Sequence, residues 1–184
     1  MKTPGSLAAE WKALILPDGM TLDLATWLLV EIETQQLRYF EQLEETSRFP
    51  VSTSWRGAGC RNGTFCTPLG WHRVVKKIGD GCKPGTIFSG RVAGAVASSL
   101  KSDADDDLIT SRILWLDGLQ PGYNRGGEVD SRSRYIYIHG TTQEHLIGRA
   151  ESHGCIRMRN DHVIELFDQT KVDVPVYISQ HALH

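Results

Sequence analysis

The residues best suited to chemistry in this sequence are a histidine closing an apolar run and a cysteine sixteen positions later. The run reads Tyr135-Ile136-Tyr137-Ile138-His139-Gly140, and the cysteine lies within Ser152-His153-Gly154-Cys155-Ile156-Arg157-Met158. β-branched and aromatic residues predict a strand that delivers His139 at its end, and a glycine-flanked cysteine suits a turn that substrate can reach. A free thiol has a pKa near 8.5, so a neighbouring imidazole must take its proton before it becomes an effective nucleophile. The pair predicted here is a Cys155 thiolate beside a His139 imidazolium, which attacks a carbonyl and later returns the proton to the leaving amine. The Gly140 carbonyl is placed to orient the second ring nitrogen, as a carboxylate does in serine triads. Gly154 admits substrate to the backbone N–H groups of Gly154 and Cys155, which are candidate oxyanion donors.

Each residue also has a plainer reading. A lone cysteine in a β domain is often a small buried hydrophobe, His139 can be a core histidine, and His153 can shape a turn. His153 competes for the role of base, although two residues from Cys155 on an extended segment it is expected to face the other way. Arg157 either grips a substrate carboxylate with its fork of donors or buttresses the turn that carries Cys155. A zinc hydrolase using His139, His153 and Cys155 is a distant alternative, but no paired metal-ligand spacing supports it. No metal or other cofactor is therefore expected. In papain-like proteases the cysteine precedes the histidine, the reverse of the order here.

These residues need a scaffold, and the pattern predicts a mainly β one: a sandwich or barrel-like domain over 27–184 with two or three short helices. Leu7, Trp11, Leu14 and Ile15 stand at helical spacing, so residues 1–26 read as an N-terminal helical extension with its helix over 6–16. Apolar stretches at 27–32, 37–40 and 49–54 predict an opening meander, the last two separated by a polar segment, 41–48. Further strands are expected at 74–78, 87–92, 113–116, 135–139 and 174–178. A late helix is expected from the face Val163, Ile164, Leu166 and Phe167, capped by Asn160 or Asp161. Trp115, Arg134 and Tyr135 are candidate cleft residues, though aromatic residues at strand positions are more often core.

Two superficial motifs carry no chemistry. The run Gly57-Ala58-Gly59-Cys60-Arg61-Asn62-Gly63 has one residue too many for a dinucleotide fingerprint and no βαβ unit around it. The acidic run Asp103–Asp107 has Leu108 where a calcium loop needs glycine and Leu114 where it needs glutamate, so it reads as a solvated loop.

Composition narrows the classes further. The chain has 184 residues, 40% hydrophobic and 23% charged, with a formal net charge of −2. That balance argues against a nucleic-acid surface, which needs clustered cations, and no apolar run approaches the ~20 residues of a membrane span. Four cysteines do not make a disulfide framework, and Cys60 and Cys66, which flank a short glycine-containing loop, are expected to be ordinary thiols. Lys2 is followed by a stretch broken by Pro4, Gly5, Glu10 and Lys12, unlike a secretory signal. A cytoplasmic protein is expected if Met1 is the native start, and a periplasmic one if an export signal has been trimmed.

His139-Gly140 followed by Ser152-His153-Gly154-Cys155-Ile156-Arg157 resembles the signature of the YkuD-type L,D-transpeptidase family. Gln36–Phe40, Pro50–Ser54, Thr67–Gly70 and Pro175–Ile178 resemble that catalytic domain in the same order. The resemblance implies a β-rich domain with the cysteine in a cleft, acting on peptidoglycan stem tetrapeptides or muropeptides. Cys155 would be the nucleophile, His139 the base and Gly140 its orienting carbonyl, with Ser152, His153, Gly154 and Arg157 completing the site. The third residue of the stem, usually meso-diaminopimelate, would be acylated onto Cys155 with loss of D-alanine. Water would then release a tripeptide, the L,D-carboxypeptidase outcome of murein recycling, which the unsignalled N-terminus favours. An amine acceptor would instead give the 3→3 cross-link of a periplasmic transpeptidase. Carbapenems are the covalent inhibitors this implies, and their reaction with Cys155 would exclude a non-catalytic peptidoglycan-binding domain.

Overall fold

The computed structural model describes residues 19–97 and 107–183. The helix expected over 6–16 lies outside them. The first strand, β1 (Thr26–Glu31), shows why one apolar run suits a sheet here. Leu28 and Val30 enter the main core with Val74, Leu116, Ile138 and Ile156. Trp27 and Leu29 enter a second cluster on the opposite face with Phe40 and Trp71, against Met20, Leu22 and Leu24. Because both faces are covered, the strand is apolar throughout rather than alternating. Each such side chain contributes roughly 1.5–3 kcal/mol on burial.

β1 pairs antiparallel with β2 (Gln36–Glu41), and β2 with β3 (Glu44–Pro50), which is the expected meander. On the other edge of β1 lies β10 (Pro175–Ser179), running parallel to it. β10 pairs in turn with β4 (Gly70–Ile78), and β4 with β7 (Ile109–Gly118). β7 also pairs with β8 (Tyr137–Thr141), which carries the short parallel strand β9 (Ile156–Met158). The hairpin of β5 (Thr86–Ser89) and β6 (Val92–Val96) joins β7 through Ile87 opposite Thr110. The mainly β expectation holds, carried by one ten-stranded sheet that forks at β7. Helix α1 (Asn160–Gln169) and two 3-10 turns complete the described residues. Val163, Leu166 and Phe167 of α1 close the main core.

Three local expectations are corrected. β3 begins inside the polar segment: Glu44, Thr46 and Arg48 lie on its exposed side, and an edge strand needs only one apolar face. Residues 51–54 form no strand and attach by single bridges, Ser52 to Arg157 and Ser54 to Ser152. The stretch 87–92 is broken by a two-residue turn, Gly90 (φ 53) and Arg91 (φ 70), whose positive angles match the hairpin twist. Finally, neither Asn160 nor Asp161 caps α1. Its N-cap is Arg159, without a side-chain bond, because the Asn160 side chain is committed elsewhere.

Candidate active site

The parallel pairing of β8 with β9 sets Ile138 opposite Ile156 and His139 opposite Arg157. Ile138 and Ile156 point into the main core. Alternation then puts Tyr137, His139, Cys155 and Arg157 on the other face. Tyr137 and the flank of Cys155 pack there with Phe88, Ile113 and Trp115. Two residue types far apart in sequence thus become diagonal neighbours on one face.

The Cys155 sulfur is held from two sides. The Tyr137 backbone N–H donates to Sγ at 3.4 Å, and the thiol donates to the Tyr135 carbonyl at 3.4 Å. Its turn is tied by the Ser152 hydroxyl, which donates to the Cys155 carbonyl at 2.6 Å, and by Thr67, which donates to the Gly154 carbonyl at 3.0 Å. Gly154 has φ +121, and a Cβ there would lie 3.3 Å from the Cys66 carbonyl. A side chain at 154 would be strained and crowded. The Gly154 N–H donates to Ser152 Oγ at 3.3 Å, within the same turn.

His139 is 2% exposed, and its Nδ1 lies 2.7 Å from the Gly140 carbonyl. A carbonyl only accepts, so Nδ1 carries the proton and Nε2 keeps its lone pair, the tautomer a general base requires. That carbonyl is fixed from behind. A Cβ on residue 140 would meet Asn160 Oδ1 at 2.6 Å and the Thr110 carbonyl at 2.7 Å, so the position demands glycine. Asn160 Oδ1 accepts from the Thr110 hydroxyl at 2.7 Å and the Ser111 hydroxyl at 2.5 Å. Its amide donates to the Thr141 carbonyl and to Glu144, each at 2.8 Å. The expected helix cap is therefore a clamp between β7 and β8.

Burial pushes the Cys155 thiol up to about 11, with the Tyr137 N–H pulling the other way and the Asp107 carboxylate adding to the rise. Burial also holds His139 below the ordinary imidazole value, opposed by Asp107 and by the bond to Gly140 and reinforced by Arg157. Both shifts run towards a neutral thiol beside a neutral imidazole. Such a pair transfers its proton as the sulfur attacks.

Arg157 is 1% exposed and spends its fork inside the protein. Nη1 reaches Gln143 Oε1 at 2.8 Å and Asp107 Oδ1 at 3.0 Å, while Nη2 donates to Ser52 Oγ at 3.1 Å. This is the buttress alternative. The His153 side chain is 63% exposed, 3.9 Å from Asp107 Oδ2 and edge-on to Phe65. Arg134 turns into the 57–67 loop and donates to the carbonyls of Cys60 at 2.7 Å and Cys66 at 2.6 Å. Tyr135 and Trp115 do border the site, their rings 5.8 Å apart.

Sequence reasoning missed Asp107, Tyr137 and Asn160. Parity along β8 could have found Tyr137, two residues before His139. Asp107 had no local signal, since its partner Arg157 is fifty residues away in sequence. Asp103 and Asp105 of the same run lie outside the described residues. Among the described residues no cluster of three or more His, Cys, Asp or Glu could hold a metal ion, and all four cysteines stand as thiols.

Residues 25–178 match the family model YkuD, the L,D-transpeptidase catalytic domain. A 46-residue stretch, 25% of this chain and 26% of the relative, is 48% identical to "Putative L,D-transpeptidase YqjB" of Bacillus subtilis (strain 168). L,D-transpeptidase 3 from Mycobacterium tuberculosis, in complex with a faropenem-derived adduct, superposes with a TM-score of 0.54 at 16% identity, over 85% of this chain and 60% of that one. The L,D-transpeptidase LdtMt1 in complex with imipenem gives 0.51 at 15% identity, over 84% of this chain and 59% of that one. At such identities the solved structures establish the fold. The chain spans about a quarter of the curated relative and about three-fifths of these structures. The chain belongs to the YkuD family of L,D-transpeptidase catalytic domains.

Proposed function

We propose that this YkuD-family chain performs cysteine acyl transfer on peptidoglycan tetrapeptides, at the bond between the third residue and the terminal D-alanine, with water as the favoured acceptor. One observation carries the reading: His139 Nδ1–H is tethered to Gly140, which leaves Nε2 as a base on the face that carries Cys155. Nε2 takes the thiol proton as Sγ attacks the third residue's carbonyl. The tetrahedral intermediate collapses to a thioester, and the imidazolium gives its proton to the departing D-alanine amine. Water, deprotonated by the same nitrogen, then cleaves the thioester to a tripeptide acid and restores the thiol. The partly exposed Cys155 supports water as acceptor, since water needs no second bound peptide to reach a thioester there. A peptide amine in water's place gives a 3→3 cross-link, the second outcome open to the same acyl-enzyme.

Incubation with free tetrapeptide and with disaccharide-tetrapeptide, followed by mass analysis, tests the proposal. Tripeptide and D-alanine are expected as the main products. Cross-linked dimer as the main product would transfer the assignment to transpeptidation. No product, together with no imipenem adduct on Cys155, would remove the acyl-transfer reading altogether.

A further inference from the structure

Beside the aromatic residues that pack near Cys155 stand two arginines with no carboxylate partner among the described residues. Arg91 sits at the tip of the β5–β6 hairpin, where the two-residue turn brings it over the aromatic residues beside Cys155. Its Cζ lies 5.1 Å from the Trp115 ring centroid and 4.9 Å from that of Tyr135, and Nη1 donates to the Tyr137 hydroxyl at 3.1 Å. Arg132 Cζ stands 5.9 Å over the same Trp115 ring, and the indole N–H is tied back to the Arg132 carbonyl at 3.2 Å. Arg132 is exposed and Arg91 partly so.

Several arginines are neutralised by carboxylates, while Arg56, Arg112 and Arg134 have none among the described residues; what sets Arg91 and Arg132 apart is the Trp115 ring they share beside Cys155. Arg38 pairs with Glu31 and Glu45, Arg73 with Asp117 and Asp173, and Arg157 with Asp107. Among the described residues no carboxylate stands within 4.0 Å of Arg91 or Arg132. Two like charges share one indole. The ring's quadrupole attracts each of them, but an anion is what would offset their mutual repulsion. The aromatic stack also fixes both guanidiniums in place, so little entropy is lost when they bind a planar anion.

The distance to the chemistry is short. Tyr137 donates its N–H to Cys155 Sγ and accepts Arg91 at its hydroxyl, so one tyrosine separates nucleophile and guanidinium. Tyr135, whose ring Arg91 covers, takes the thiol proton on its carbonyl and holds φ 56, an angle rare for a bulky residue. Such strain is characteristic of functional positions.

We propose that Arg91 and Arg132, mounted on the Trp115–Tyr135 shelf, form a subsite for a carboxylate of the peptide bound at Cys155. This rests on the acyl-transfer reading, which supplies two carboxylates within a few bonds of the acyl carbon: that of the terminal D-residue and that of the third side chain. The subsite orients the donor peptide by its charge.

The test has two arms that fail separately. The first uses no peptide: alkylation of Cys155 by iodoacetate is compared with alkylation by iodoacetamide, following the Cys155 peptide by mass. The ratio of the two rates cancels the thiolate fraction and reports only the pull on an anion. Arg91→Gln and Arg132→Gln are each expected to lower that ratio about threefold, and the double variant about tenfold. Arg91→Lys should restore part of it. An unchanged ratio in the double variant, with its melting temperature preserved, overturns the subsite whatever the enzyme's substrate.

The second arm measures KM for tetrapeptide, its terminal amide and its side-chain amide. The amide that raises KM in the wild type, and no longer does so in the double variant, identifies the carboxylate bound. If neither amide changes KM, the anion is not a substrate carboxylate and the subsite assignment falls. Absence of peptide turnover in the wild type, with the alkylation ratio still falling in the double variant, would instead overturn the acyl-transfer reading and leave the anion subsite standing.

Discussion

The two walls around Cys155 are built on opposite principles. On the His139 side the main polar groups are held inside the protein: Gly140 by His139, Asn160 by four groups, the two Nη of Arg157 by three. On the Arg91 side the aromatic and cationic groups face solvent with hydrogen bonds still to give. The first wall loses little on binding because nothing there must be ordered, and the second offers charge that a ligand can complete. Positioning and recognition are thus assigned to different strands, β8–β9 and the β5–β6 hairpin. Changes on the buried wall should lower stability and turnover together, while changes on the open wall should act mainly on KM with little loss of stability.

The largest expected effect lies where the walls meet. Cys155→Ala should cut turnover by at least about a hundredfold with the unfolding midpoint nearly unchanged, since a partly exposed thiol contributes little packing. Residual activity above about one per cent would end the nucleophile assignment. Asn160→Ala comes next, at about 2–4 kcal/mol in urea unfolding, because it orphans two hydroxyls and the Thr141 carbonyl in the interior. Its turnover should fall at the same time; a stable but inactive variant, or an active unstable one, would break the coupling claimed for that wall.

Acid should act through a buried histidine on β4, apart from the His139 wall. His72 is fully buried, its Nδ1 2.9 Å from the Gly70 carbonyl and Nε2 2.9 Å from Ser131 Oγ, and burial holds its pKa at about 4. The unfolded chain binds this proton near pH 6.5, so between 6.5 and 4 it carries more protons than the native state and stability falls as pH falls. The loss from this residue is about 3 kcal/mol over that window. Urea titrations at pH 7 and pH 4.5 should show it, with a flatter dependence in His72→Gln. The smallest effect belongs to the open wall: Trp115→Leu should raise KM a few-fold while costing stability only ~1 kcal/mol. A large loss of kcat there would mean that the shelf positions the nucleophile too.

How much of this was legible follows the range of the interactions. His139 and Cys155 stood out because a strand end and a glycine turn are local features, and parity then places them on one face. The tautomer was legible too, from Gly140. Asn160 was misread as a cap because Asn before a helical face is the ordinary signal for one; its real partners are about fifty residues upstream, on β7. β3 was placed too late because Glu44–Arg48 shows polar residues with no apolar alternation, while edge pairing asks for little. The ion pair follows from the free-thiol value, whereas burial, which no local pattern reports, pushes the thiol the other way. Arg91 drew no attention because its meaning depends on the rings it covers, which only a folded neighbourhood can reveal.

The parallel placement of β10 between β1 and β4 has a consequence for synthesis. A nascent chain that has not yet emerged past Pro175 already contains His139 and Cys155, but it exposes the facing edges of two apolar strands with no third strand to join them. Long-range strand pairing of this kind forms slowly, and open edges are sites of misassociation. The halves β1–β3 and β4–β9 are joined only by Pro175–Ser179, so the sheet closes after every residue of the cleft has been made.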